Sequence, residues 1–190
     1  IWSRTLYGGR VSITLGISVA LLAVFFGTVA GLLSGYFRWV DAVMMRVMDG
    51  FMSIPAILFA ISLIAMFGNA LVIVVTAIAI PSIPRIARLV RSVVLSVREE
   101  PYVEAAIALD TPVWKILLRH ILPNATAPLI VQGTYVCAEA ILVEAILSFL
   151  GVGMPVEAAT WGNIMAEGRS QFNAYPHMVL LLSLIHISEP

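Results

Sequence analysis

Long apolar runs separated by short charged clusters organise this chain. No Asp, Glu, Lys or Arg occurs between Arg10 and Arg38, a gap of 27 residues, or between Asp49 and Arg85, a gap of 35. A third gap, of 19 residues, separates Arg119 from Glu139. A helix crossing ~30 Å of hydrocarbon takes about 20 mostly apolar residues. The first gap therefore predicts one span over about residues 11–36. The second gap, as a single helix, would run about 52 Å, too long for one crossing. It predicts a hairpin broken at Gly68-Asn69, with spans over about 42–67 and 69–91. The third gap predicts a span over about 124–151, and an apolar stretch from His177 predicts the start of a fifth. The expected fold class is all-α, a polytopic transmembrane helix bundle truncated at its N- and C-termini.

Composition narrows the function class. Of the 190 residues, 61% are hydrophobic and 12% charged, against about 45–50% and ~25% in soluble domains. Mean hydropathy is +1.00. Twenty-two charged residues cannot build the polar shell of a soluble domain of this size. A soluble enzyme, a disordered segment and a nucleic-acid binder relying on basic charge are excluded.

The basic residues set the orientation. Six of the eleven Lys and Arg lie between Arg85 and Arg119, and the positive-inside rule places that segment in the cytoplasm. Counting back, the loop with Arg38 and Arg46 is cytoplasmic too, leaving Arg4, Arg10 and Arg169 outside. Residues 1–10 hold no initiator Met or signal-peptide pattern, so the native start is expected upstream. At the other end, Leu182–Pro190 resembles the translation of a transposon-type sequencing adapter, and a fusion scar is expected over 182–190.

The cytoplasmic loop, about residues 98–123, carries the chemistry. Glu99 to Leu109 has a helical composition with Pro101 in its first turn. Val113, Trp114, Leu117, Leu118 and Ile121 form one apolar stripe at helical spacing. Between them, Thr111 is the expected N-cap and Pro112 the first helical residue of a second short helix. Two helices joined at an angle suit docking on a partner protein, or a pair lying on anionic lipid.

Glu104-Ala105-Ala106, then Asp110, then Ile121-Leu122-Pro123 resembles the EAA loop in membrane subunits of bacterial ABC importers. Asp110 stands where that family usually has Gly, and Asp is among the few residues that tolerate a left-handed turn. His120 occupies the usual Ile position, but Arg119–Asn124 looks like the variant in dipeptide and oligopeptide permeases. Leu147–Gly153 and Trp161–Arg169 resemble the same subfamily.

The resemblance implies that Glu104, Ala105, Ala106, Asp110, Ile121, Leu122 and Pro123 couple this chain to two cytoplasmic ATP-binding subunits. Trp114, Leu117 and Leu118 would pack the loop on its own bundle. It further implies a second homologous permease subunit and an extracytoplasmic substrate-binding protein, with this chain a multi-pass protein of the bacterial cytoplasmic (inner) membrane. ATP and Mg would be bound by the partner subunits. The only lysine, Lys115, follows Trp114, so a G-x-x-x-x-G-K-[ST] phosphate loop is absent from this chain. No cofactor, nucleic acid or catalytic role is expected in it. The cargo implied is a dipeptide or oligopeptide, with a nickel chelate as the alternative. From other classes, an ion-driven secondary transporter would predict an inverted repeat, which the sequence does not show, and would leave the EAA pattern unexplained; a membrane scaffold with no transport pathway is a third possibility.

Two carboxylates are candidate pathway residues. In a span starting near Ala125, Glu139 lies about 21 Å along and Glu144 about 29 Å. Glu139 is then within the hydrocarbon, where ionisable groups face a pathway or another helix. Remaining features read as structural. Asp49 belongs at the interface or with Arg46, and Pro55, Pro81 and Pro84 kink or end helices. Gly27, Gly31 and Gly35 suit close helix contact, and Arg85, Arg88 and Arg91 suit lipid headgroups. Cys137 is the only cysteine, so no disulfide framework exists. Pro155 to Pro176 is expected as an external, amphipathic or re-entrant segment that contacts the substrate-binding protein.

Overall fold

The computed structural model of the chain describes residues 2–155, 158 and 160–170. The stretch from His177 and the adapter-like end, 182–190, lie outside the described residues. Every regular element described is helical.

Helix α1, Trp2–Tyr36, starts earlier than its apolar gap suggested. Helices α2, Arg38–Ser53, and α3, Ala56–Phe67, occupy the stretch predicted as a single span over 42–67, with a break between them. Pro55 is the physical reason. It lacks an N–H, and it drives Ile54 out of the helical region to φ −91°, ψ 125°, as the residue before a proline usually is. The 12-residue α3 is about 18 Å long and cannot cross a bilayer alone.

Gly68 ends α3 at φ +92°, a conformation open to glycine, at the break expected there. Helix α4, Leu71–Val97, then runs through both Pro81 and Pro84, so neither proline ends a helix. Helix α5, Pro101–Ala108, and α6, Val113–Ile116, lie in the loop between α4 and α7 expected to face the cytoplasm. A π-turn over Leu117–Ile121 joins α6 to α7, Leu122–Phe149. Helix α8, Trp161–Ser170, follows. Among the described residues, three helical stretches are long and apolar enough to cross a membrane: Thr5–Tyr36, Leu71–Val97 and Val113–Phe149. The bent α2–α3 pair makes a fourth if counted as one span.

The fold divides into two compact units, and α1, α4 and α7 contribute residues to both. One comprises Leu21–Ile54 and Ile80–Tyr135. Its core forms where the glycine stripe of α1 meets α4. A Cβ at Gly31 would lie 2.6 Å from Val90 Cβ, and one at Gly35 2.5 Å from Val94 Cβ. The stripe therefore lets two backbones approach within this chain. Met48 packs with Ala30 and Ala87, flanked by Met44, Met45 and Ile83. The opposite face of α2 turns Trp39, Val43 and Val47 outward.

The other unit comprises the described residues of 1–20, 55–79 and 136–190. Gly16 lets α1 approach α7 at Cys137 and Ile141, while Ala145, Ile164 and Met165 pack beneath Phe149 and Trp161.

Candidate functional site

The loop of α5 and α6 is built from short-range rules. Pro101 occupies the first turn of α5, where a missing N–H costs nothing. Glu104 lies in that same turn, favourably placed against the helix dipole. Val103 and Ala106 face inward, while Glu104, Ala105, Ile107 and Leu109 are exposed.

The end of α5 is a Schellman motif. The Asp110 N–H donates to the Ile107 carbonyl at 3.0 Å, and the Thr111 N–H to that of Ala106 at 3.1 Å. Such a motif takes a left-handed residue between them. Asp110 supplies it at φ +56°, as the one non-glycine residue with positive φ among those described. Asp thus performs the turn expected of glycine. Thr111 does not cap α6. Pro112, at φ −62° and ψ 140°, is the N-cap, with no side-chain hydrogen bond. The Thr111 N–H is already committed to α5, and a residue before proline favours extended backbone.

The π-turn changes which residues face inward. The Leu122 N–H donates to the Leu117 carbonyl, five residues back. Pro123 follows at once, and its ring would crowd the Arg119 carbonyl in a regular α-helix. A wider turn displaces the apolar stripe relative to regular helical spacing. Ile116, Leu117 and Ile121 are buried, whereas Trp114 is 65% and Leu118 55% exposed. Only Leu117 of the three residues expected to pack on the bundle does so. Leu122 is half-buried and Pro123 exposed. Asn124 fastens the loop, its Nδ2 donating to the His120 carbonyl at 2.7 Å and to the Tyr102 hydroxyl at 3.2 Å.

Beside α5 lies a cavity of about 520 Å³ lined by Arg38, Asp41, Arg91, Arg98, Glu99 and Glu104, among others. Arg91 holds both carboxylate oxygens of Asp41, at 2.5 and 2.6 Å. Arg98 donates to the Tyr36 carbonyl at 3.3 Å and sits over the Tyr36 ring. Arg88 pairs with Asp49, and Arg85 lies over the Tyr135 ring. The arginine cluster therefore engages side chains of its own unit, and Asp49 pairs across to α4 rather than with Arg46. Sequence reasoning saw each of these charges and missed the pairings. Isolated acids and arginines in an apolar chain were the available signal.

The two candidate pathway carboxylates are placed differently. Glu139 is half-buried on α7. Glu144 is 0% exposed, and its Oε1 accepts from the Ser148 hydroxyl at 2.7 Å. Ser148 Oγ in turn accepts from the Met154 N–H at 3.2 Å. The two carboxylates share a helix and form no joint site.

Comparison with known proteins agrees with this architecture. Residues 23–188 match the family described as binding-protein-dependent transport system inner membrane component. A probable peptide ABC transporter permease of Sinorhizobium fredii is 50% identical over 169 residues, which cover 89% of this chain and 58% of the relative. A dipeptide transport system permease of Alkalihalophilus pseudofirmus is 40% identical over 181 residues, covering 95% and 60%. A glutathione transport system permease of Pectobacterium atrosepticum is 39% identical over 185 residues, covering 97% and 62%. The chain thus spans about three fifths of the length of these relatives. The match over residues 23–188, together with the long apolar helices, shows that the chain belongs to the binding-protein-dependent transport system inner membrane component family.

Proposed function

We propose that this chain is a permease subunit of an ATP-driven importer for dipeptides or oligopeptides, and that its cytoplasmic loop docks on the ATP-binding subunits. The exposed apolar edge of the loop carries the proposal. Ile107, Leu109, Trp114 and Leu118 are 47%, 81%, 65% and 55% exposed, beside the exposed Glu104. Exposed apolar side chains with a charged residue on the same loop are the composition of a protein-docking surface. Glu104, Ala105, Ala106 and Asp110 form the docking helix and its turn. Ile121, Leu122 and Pro123 anchor the loop to α7. ATP and Mg belong to the partner subunits, and an extracytoplasmic receptor delivers the solute to this chain and a second, related permease.

Family membership favours this reading over an ion-driven carrier or a scaffold. The peptide, dipeptide and glutathione permeases among the relatives favour a peptide over a nickel chelate. ATP-driven accumulation of a labelled dipeptide in proteoliposomes holding the complete transporter tests the assignment. Uptake that requires this chain and ATP is expected. Uptake driven by an ion gradient without ATP would overturn it.

A further inference from the structure

Two segments resembling peptide permeases, Leu147–Gly153 and Trp161–Arg169, take no part in the loop, and the structure brings them together. Ser148, from the first, is buried at 2% exposure. A serine inside a helix commonly donates back to a carbonyl one turn earlier, as Ser18 and Ser62 do here. Ser148 instead donates to the side chain of Glu144, one turn back, at 2.7 Å. Its oxygen then receives the Met154 N–H at 3.2 Å, a donor in the loop that would otherwise be buried without that partner.

The second segment closes on the same point. A Cβ at Gly162 would lie 2.7 Å from Ser148 Cβ and 2.8 Å from Ala145 Cα, and one at Gly153 2.5 Å from the Ser148 nitrogen. Both glycines are therefore required for the close approach to Ser148. Asn163 completes the fastening. Its Nδ2 donates to the Pro155 and Ala158 carbonyls at 2.8 Å, and its N–H donates to Thr160 Oγ1 at 3.2 Å. Trp161 Nε1 ties the start of α8 to the Thr5 carbonyl at 3.1 Å.

We infer that Glu144 is a positioning residue: its carboxyl orients the Ser148 hydroxyl, which locks the loop after α7, and α8 with it, to the end of α7. Its role is to accept hydrogen bonds, the one from Ser148 above all, and it does not touch the solute. Complete burial fits this role, because a carboxyl with no accessible surface cannot line a passage. The transport consequence rests on the importer assignment above. The interlock itself does not.

The experiment uses the complete transporter in lipid nanodiscs and proteoliposomes, with three variants: S148A, E144L and E144Q. Hydrogen exchange at the Met154 amide reads the interlock, and the maximal rate of ATP-driven dipeptide uptake reads transport. S148A and E144L are expected to accelerate Met154 exchange about tenfold, the effect of losing one buried hydrogen bond, and to lower uptake in parallel. E144Q keeps an acceptor oxygen for Ser148 and is expected to restore both readings to within about twofold of wild type. Unchanged Met154 exchange in S148A would overturn the interlock. E144Q that loses uptake as far as E144L, with Met154 still protected, would show that the charge of Glu144 acts directly. If uptake in the wild-type complex needs no ATP, the importer assignment fails, and Met154 exchange still decides the interlock.

Discussion

Arg91 on α4 grips Asp41 on α2 through two hydrogen bonds, 2.5 Å from Nε and 2.6 Å from the terminal nitrogen, across 50 residues of sequence. The neighbouring pair, Arg88 with Asp49, joins the same two helices through one contact. Exposure decides which matters more. The side chains of Arg91 and Asp41 are 32% and 25% accessible, those of Arg88 and Asp49 45% and 60%. A bidentate, partly desolvated pair outweighs a single exposed one.

Asp41→Asn is therefore expected to destabilise the folded chain by about 1–2 kcal/mol, whereas Asp49→Asn costs less than about 1 kcal/mol. Thermal unfolding of the two variants in the same lipid nanodisc, side by side, checks the order. The double exchange Asp41→Arg with Arg91→Asp should recover part of the loss. Equal effects of the two single substitutions would mean that the second hydrogen bond contributes nothing.

Two glycines in neighbouring helices should respond with opposite signs. At Gly31 an added Cβ meets the Ala87 carbonyl and Val90 Cβ, both at 2.6 Å, while at Gly50 it meets nothing within 4 Å. Gly31→Ala is expected to cost about 1–3 kcal/mol by forcing α1 from α4. Gly50→Ala, inside α2, should stabilise by up to about 1 kcal/mol through helix propensity. Thermal melts of both variants give the comparison, and a stabilised Gly31→Ala would refute the close helix contact.

The left-handed turn at Asp110 makes a third comparison. Gly accepts that backbone without penalty and a β-branched residue does not. Asp110→Gly should thus leave stability within about 0.5 kcal/mol of wild type, and Asp110→Val should lower it by about 1–2 kcal/mol. Exchange of the Thr111 amide, which closes the turn onto Ala106, reports the same event locally.

Features set by neighbours in sequence were legible in advance. Pro101 in a first helical turn, the glycine break at Gly68 and the left-handed Asp110 each follow from the backbone preferences of one residue. The glycine stripe at 27, 31 and 35 was legible as a contact surface because its spacing is local, although its partner α4 was not. Features set by distant residues were hidden. Nothing in the order of residues says that Asp49 reaches Arg88, or that Asp41 reaches Arg91, since pairing depends on how α2 lies against α4. Pro55 was visible as a helix breaker, and the break falls there, between α2 and α3. A regular helical period puts Trp114 and Leu118 on the bundle side, but the loop enters α7 through a wider π-turn just before Pro123, and both side chains are exposed. That wider turn is what leaves Trp114 and Leu118 exposed on the loop that carries Glu104.

The docking of that loop on an ATP-binding subunit is the central claim, and a photo-crosslinking residue introduced at Leu109 tests it most directly. In the assembled, uptake-competent transporter, Leu109 should yield an adduct with the ATP-binding subunit. The same probe at Phe25, exposed within the first long apolar helix, should not. A transporter that assembles and accumulates dipeptide while Leu109 gives no such adduct would contradict the account.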